Sequence, residues 1–165
     1  MKARAGGFAA AIVVLIADQI TKWAIMGPIR LPYRGPIDIL PIFRLIWVEN
    51  RGVSMGFLVA DAAWQRWLLT AVTAGIAIGV LVWLLREKNR IDALAFGAIL
   101  GGAIGNIADR VRLGYVADFL NLHFGAWSPF LVFNVADAAI SVGVVLLAVR
   151  ALFVRDASPS ENANV

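Results

Sequence analysis

A chain of 165 residues that is 61% hydrophobic has more apolar surface than one soluble domain of that length can bury, so lipid is its expected solvent. The formal charge of +4 does not point to nucleic acid, because Lys and Arg are scattered between apolar runs rather than massed on one face. The lack of cysteine excludes disulfides, thiolate catalysis and Cys-ligated metal or iron-sulfur sites.

Lys2 and Arg4 precede an apolar run, as in a cleavable signal peptide, but the run continues through Asp18 and Lys22 with no small-x-small site after it. An uncleaved first span over residues 8–25 is therefore expected. Residues 37–48 are rich in Ile, Leu, Phe and Trp, too short and interrupted for a span, and read as β-like extended structure on the membrane surface within a longer segment, 26–66. Tyr33, Trp47, Trp64 and Trp67 suit the interface. Residues 67–85 run 19 positions without a charge and form the cleanest span. A third span, 93–108, is short and glycine-rich, and a fourth, 130–149, is interrupted by Asn134 and Asp137. Gly97, Gly101 and Gly105, and again Gly75 and Gly79, recur at four-residue spacing and predict helix-packing faces. The expected fold is an all-α membrane protein of four transmembrane helices with a small extended segment between the first two. It occupies one domain over 1–155, and the polar tail 156–165 is expected to be disordered.

Four spans in series place the end of the first, the start of the second, the end of the third and the start of the fourth on one side. The polar residues follow that rule. Asp18 and Lys22 lie late in the first span, Asn106, Asp109 and Arg110 close the third, and Asn134 and Asp137 fall early in the fourth. Asp118 sits in a short apolar segment of the loop between the last two. At 1.5 Å per residue the cluster reaches only about 10 Å into the helices, too shallow for a proton path across the bilayer. Lys and Arg are nearly even on the two sides, but the dense loop Arg86, Lys88, Arg90 favours cytoplasmic termini.

Two Asn-x-Ala-Asp units, Asn106 to Asp109 and Asn134 to Asp137, put each amide on the helix face of its acid. An Asp at a helix end is often a cap or the partner of an Arg, which suits Asp109 beside Arg110. Asp137 reads as lying past the first helical turn. Neither it nor Asp118 has a basic residue within four positions, so these two form a candidate dyad. Paired carboxylates hydrolyse a peptide bond when one, ionised, activates water and the other, protonated, polarises the carbonyl. A single histidine, His123, cannot build a zinc site and is expected to rest at the interface. Ser54 and Ser141 lack a local lysine, although Lys22 could approach in space, so a Ser-Lys dyad stays open.

The residues resemble the lipoprotein signal peptidases, also called signal peptidase II. The likeness runs from Asp18-Gln-Ile-Thr-Lys22-Trp23 through Glu49-Asn50-Arg-Gly52-Val-Ser-Met-Gly56-Phe57, Gly101-Gly102-Ala-Ile-Gly105-Asn106-Ile-Ala-Asp109-Arg110 and Val116-Ala-Asp118-Phe119 to Phe133-Asn134-Val-Ala-Asp137. It implies an aspartic endopeptidase with Asp118 and Asp137 as catalytic dyad. Asn50, Gly52, Asn106, Asp109, Arg110 and Asn134 would bind substrate or support the site, and Asp18 and Lys22 would give structural support. The implied substrate is a bacterial prolipoprotein carrying diacylglycerol on a cysteine, cut just before that cysteine without metal or cofactor. The implied setting is the bacterial cytoplasmic membrane, in contact with its lipids, with the site near the periplasmic face and both termini inside; a monomer is expected. Two other classes compete: a small ion-coupled transporter using Asp18, Asp109 and Asp137 as cation ligands, and a non-catalytic assembly subunit whose glycine grooves hold partner helices.

Overall fold

The computed structural model describes residues 2–52, 63–125 and 127–153. Ser54, Gly56 and Phe57 of the second motif, and the tail 156–165, lie outside the described residues. In chain order the elements are α1 (Lys2–Met26), a 3-10 turn (Leu31–Tyr33), β1 (Ile37–Leu40), β2 (Phe43–Asn50), α2 (Ala63–Arg86), α3 (Arg90–Arg112), β3 (Val116–Leu122) and α4 (Val135–Phe153). All four α-helices are long and apolar enough to cross a membrane.

The spans agree with the sequence in number and order but not in their ends. α3 extends to Arg112, so Asn106, Asp109 and Arg110 are helical throughout. α4 starts at Val135 rather than 130, which places Asp137 in its first turn and not past it. Asn134 acts as the cap: the Asp137 N–H donates to Asn134 Oδ1 at 2.9 Å, and the Asn134 N–H donates back to Asp137 Oδ2 at 3.3 Å. This reciprocal pair is the geometry of a capping box, and it satisfies two backbone donors that a helix start otherwise leaves unpaired.

α3 is the central helix, with α1, α2 and α4 packed around it. Its glycines make the contacts close. A Cβ added at Gly97 would stand 2.0 Å from the Gly7 carbonyl oxygen, and one at Gly101 2.4 Å from that of Ala11, so the α1 backbone runs against this stripe. Gly102 faces the other way, with the Ala136 carbonyl oxygen of α4 2.6 Å from where its Cβ would be. The expectation fails for Gly75 and Gly79, where an added Cβ would meet nothing within 4 Å. α2 instead packs through Ala77, Val80 and Leu84, while Ile12, Ile16, Val72, Ile76, Val142 and Val145 stay exposed as a lipid-facing surface.

Residues 37–48 are extended as expected, but their strands belong to a three-stranded antiparallel sheet of order β1-β2-β3. The third strand, which lies between α3 and α4 in sequence, is absent from the sequence reading. Five of its seven residues, including Val116, Ala117, Asp118 and Phe119, are buried, so its side chains do not alternate between apolar and polar. Its register sets Asp118 opposite Val48 and Val116 opposite Asn50. On its free edge Phe119 and Leu120 both donate to the Phe133 carbonyl, at 3.0 and 2.8 Å, tying the strand to the residue before the α4 cap.

Candidate active site

β3 delivers Asp118 to the mouth of the helix bundle, where the carboxylate is 1% exposed. Each of its oxygens accepts from an amide: Oδ1 from Asn134 Nδ2 at 2.6 Å and Oδ2 from Asn50 Nδ2 at 2.9 Å. The Asn50 side chain is aimed by its own oxygen Oδ1, which accepts the Gly52 N–H at 3.0 Å. Gly52 sits at φ 95°, a left-handed backbone conformation that favours glycine, while a Cβ there would meet only the movable end of the Leu69 side chain. Burial pushes the Asp118 carboxyl up to about 6. The Asn50 bond opposes that rise, the Asp137 charge adds to it, and Asn134 and Lys22 pull it back.

Asp137 enters the same network from the first turn of α4. Its Oδ1 accepts from Asn106 Nδ2 at 2.8 Å, and its Oδ2 accepts the Asn134 N–H of the capping box. The Asn106 side-chain oxygen Oδ1 in turn accepts from Asn134 Nδ2 and from Lys22 Nζ, each at 3.3 Å. Asn134, fully buried, thus touches both acids, one through its side-chain amide and one through its backbone. Arg110 donates to the backbone carbonyl of Asn106, one turn before it, at 3.5 Å and lies within electrostatic reach of Asp137, Asp118 and Asp109.

Beneath the two acids lies a buried charge cluster. Lys22 Nζ stands 2.8 Å from Asp18 Oδ2 and 2.7 Å from Asp109 Oδ2, and all three side chains are at most 2% exposed. Asp109 therefore pairs with Lys22 from α1 and not with Arg110 beside it in sequence. The remaining lone pairs reach the backbone next to each candidate acid: Asp18 Oδ1 accepts the Ala136 N–H, and Asp109 Oδ2 accepts the Ala117 N–H, both at 3.1 Å. One ion cluster so fixes the residue before Asp137 and the residue before Asp118. Gln19, which sequence reasoning did not single out, donates to Asp18 at 3.1 Å and to Asp109 at 3.3 Å. Its position beside Asp18 was the only available signal.

These contacts bear on the competing chemistries. With Lys22 held by two carboxylates it is not placed as a serine's base, and Ser141 is exposed on α4. Asp18 and Asp109 both pair with the Lys22 ammonium, which occupies the place between them that a transported cation would need. His123 is buried within the protein, with Nδ1 3.3 Å from the Gly125 carbonyl oxygen.

A cleft of about 330 Å³ opens beside Asp118, between a polar wall of Asn50, Arg51 and Gly52 and an apolar one of Leu131 and Val132. Leu131 is 81% exposed, so this wall faces whatever enters. Arg51 lies over the Tyr115 ring, 6.0 Å from its centroid, and Tyr115 meets Trp47 edge-on at 6.2 Å. Leu131 and Val132 were invisible as site residues in the sequence, where they merged with the apolar run of the fourth span.

The model of the family described as signal peptidase (SPase) II matches residues 10–153 of the chain. The chain belongs to the signal peptidase II family. It is 61% identical over 159 residues to the lipoprotein signal peptidase of Rhizorhabdus wittichii, covering 96% of this chain and 92% of that one. Against the lipoprotein signal peptidase of Sphingopyxis alaskensis it is 45% identical over 160 residues, covering 93% and 92%. Among solved structures it resembles a bacterial membrane enzyme determined by the in meso method, at a TM-score of 0.75 and 25% identity over 96% of this chain and 93% of that chain. A signal peptidase II is a peptidase, and a bacterial member with four spanning helices points to the inner membrane.

Proposed function

We propose that this signal peptidase II is an aspartic endopeptidase that cuts diacylglyceryl-modified prolipoproteins just before the lipidated cysteine, with Asp118 and Asp137 as its dyad. The observation that carries the proposal is Asn134, whose side-chain amide and backbone N–H hold one oxygen of each acid and leave the pair sharing a single network.

Burial raises Asp118 to about 6, which suits it to hold a proton and act as the general acid. Asp137 removes a proton from a water molecule as its oxygen bonds to the scissile carbonyl carbon, and Asp118 donates its proton toward the carbonyl oxygen. Collapse of the tetrahedral intermediate breaks the C–N bond while the proton held by Asp137 passes to the departing nitrogen, and the proton lent by Asp118 returns to it. Asn50, Asn106 and Asn134 position the two acids, and Arg110 offsets their combined negative charge. A site at the ends of the spans suits a substrate whose peptide is reached from water while both acyl chains remain in lipid, and this reading sets it near the periplasmic face with both termini in the cytoplasm.

The test is cleavage of a diacylglyceryl-modified, cysteine-containing precursor by the purified chain, beside Asp118→Asn and Asp137→Asn. Each variant is expected to fold in membranes and to lose at least about 10³-fold in rate, the scale of acid-base catalysis. A chelator is expected to leave the wild type active. Full activity in either variant overturns the dyad.

A further inference from the structure

A feature that the peptidase chemistry does not use lies at the other end of the bundle, where α2 turns into α3. A cavity of about 560 Å³ is lined there by Trp83, Arg86, Asp92, Phe96, Leu147 and Arg150, among others. Its two halves differ in chemistry. Trp83 and Phe96, with rings tilted against each other at 5.9 Å, join Leu147 as an apolar shelf on the side of the spans. At the helix ends the lining is ionic.

The carboxylates of that ionic half are already engaged. Arg150 reaches both oxygens of Asp92, with Nε at 2.5 Å and Nη2 at 3.3 Å. Glu87 accepts the backbone N–H groups of Lys88 and Asn89 at 2.7 and 2.6 Å, fixing the short turn between the helices. Arg86 has no ion pair among the described residues and is exposed at the cavity edge. Lys88 and Arg90 follow it within the same turn, and Arg4 of α1 lies against the Glu87 carbonyl at 3.4 Å. The lining sets Arg86 and Arg150 against Glu87 and Asp92, and Lys88, Arg90 and Arg4 around it make the rim basic. The Arg86 fork lies outside any ion pair among the described residues, and an apolar shelf runs from it into the depth of the membrane.

We propose that this cavity binds an anionic membrane phospholipid, with Arg86 on the phosphodiester and one acyl chain along Trp83, Phe96 and Leu147. A guanidinium matches two phosphate oxygens at once, and basic pockets between helix ends at the membrane surface are suited to anionic headgroups. The shelf is what separates a lipid from free phosphate. A soluble anion would gain from Arg86 and leave the three apolar side chains with no partner. The site lies at the opposite membrane face from Asp118 and Asp137 and is independent of their role.

The experiment is native mass spectrometry of the purified full chain in neutral detergent, titrated separately with dioleoyl phosphatidylglycerol and dioleoyl phosphatidylcholine. Phosphatidylglycerol is expected to bind about fivefold more tightly, the scale for one basic side chain at a membrane surface. Arg86→Gln is expected to abolish that preference, and millimolar glycerol phosphate to leave the bound lipid in place. Equal affinity of the wild type for the two lipids overturns the proposal without recourse to any variant. Retention of the preference in Arg86→Gln removes Arg86 from it, and displacement by glycerol phosphate shows a headgroup site in place of a lipid site.

Discussion

Asn134 does two jobs that substitution can separate. Its carbonyl oxygen caps α4 by accepting the Asp137 N–H, while its amide nitrogen donates to Asp118 at 2.6 Å. Asn134→Ala removes both. Losing the cap costs about 1 kcal/mol, and losing a buried hydrogen bond to an ionisable carboxyl costs about 1.5–3 kcal/mol. Asn134→Ser keeps an oxygen that can cap but has no amide to reach Asp118, so it is expected to be about 1 kcal/mol more stable than Asn134→Ala. If the bond to Asp118 is needed to align the dyad, both variants lose activity together. About 1.5–3 kcal/mol of alignment corresponds to a fall of roughly tenfold to a hundredfold in kcat/KM. Thermal unfolding in detergent reads the first quantity and cleavage of a lipidated precursor peptide the second. A serine variant that regains activity in step with its stability would show that Asn134 serves only the helix, and would refute the positioning role.

Further outcomes follow from the same contacts. Asp118 carries its proton only below about 6 in the free protein, so kcat/KM is expected to fall as pH rises through that value. The Asn50 bond favours the charged form, so Asn50→Ala moves that limb to higher pH. Asp137→Asn removes a neighbouring negative charge and lowers the Asp118 titration, which the infrared carboxyl band of that inactive variant reports; an unmoved band refutes the coupling. Lys22→Met strands two buried carboxylates and is expected to destabilise the chain by about 3–5 kcal/mol in detergent unfolding, with Asp18→Asn in the same chain restoring part of it. A single variant as stable as the wild type would mean that the cluster does not hold the bundle together.

The sequence by itself determined the solvent, the number of spans and the side on which the acids meet. Each of these depends on local composition or on counting: a run of apolar residues must find lipid, and four spans in series leave no choice about which ends share a face. The Asn-x-Ala-Asp spacing also made Asn106 and Asn134 legible as companions of acids, because helical periodicity is a local property. The partners were not legible. Asp109 looked committed to Arg110 because the two are adjacent, yet neighbours on a helix point in different directions, and the cation that meets it comes from α1. The grips of Asp18 on Ala136 and of Asp109 on Ala117 end on backbone N–H groups, which every residue except proline carries and which leave no mark in the sequence. β3 was hidden because burial on both faces erases the alternation that announces a strand. Only the packing of α1 and α4 against the glycine face of α3, together with the pairing of β2 with β3, decided that Asp118 and Asp137 would share Asn134.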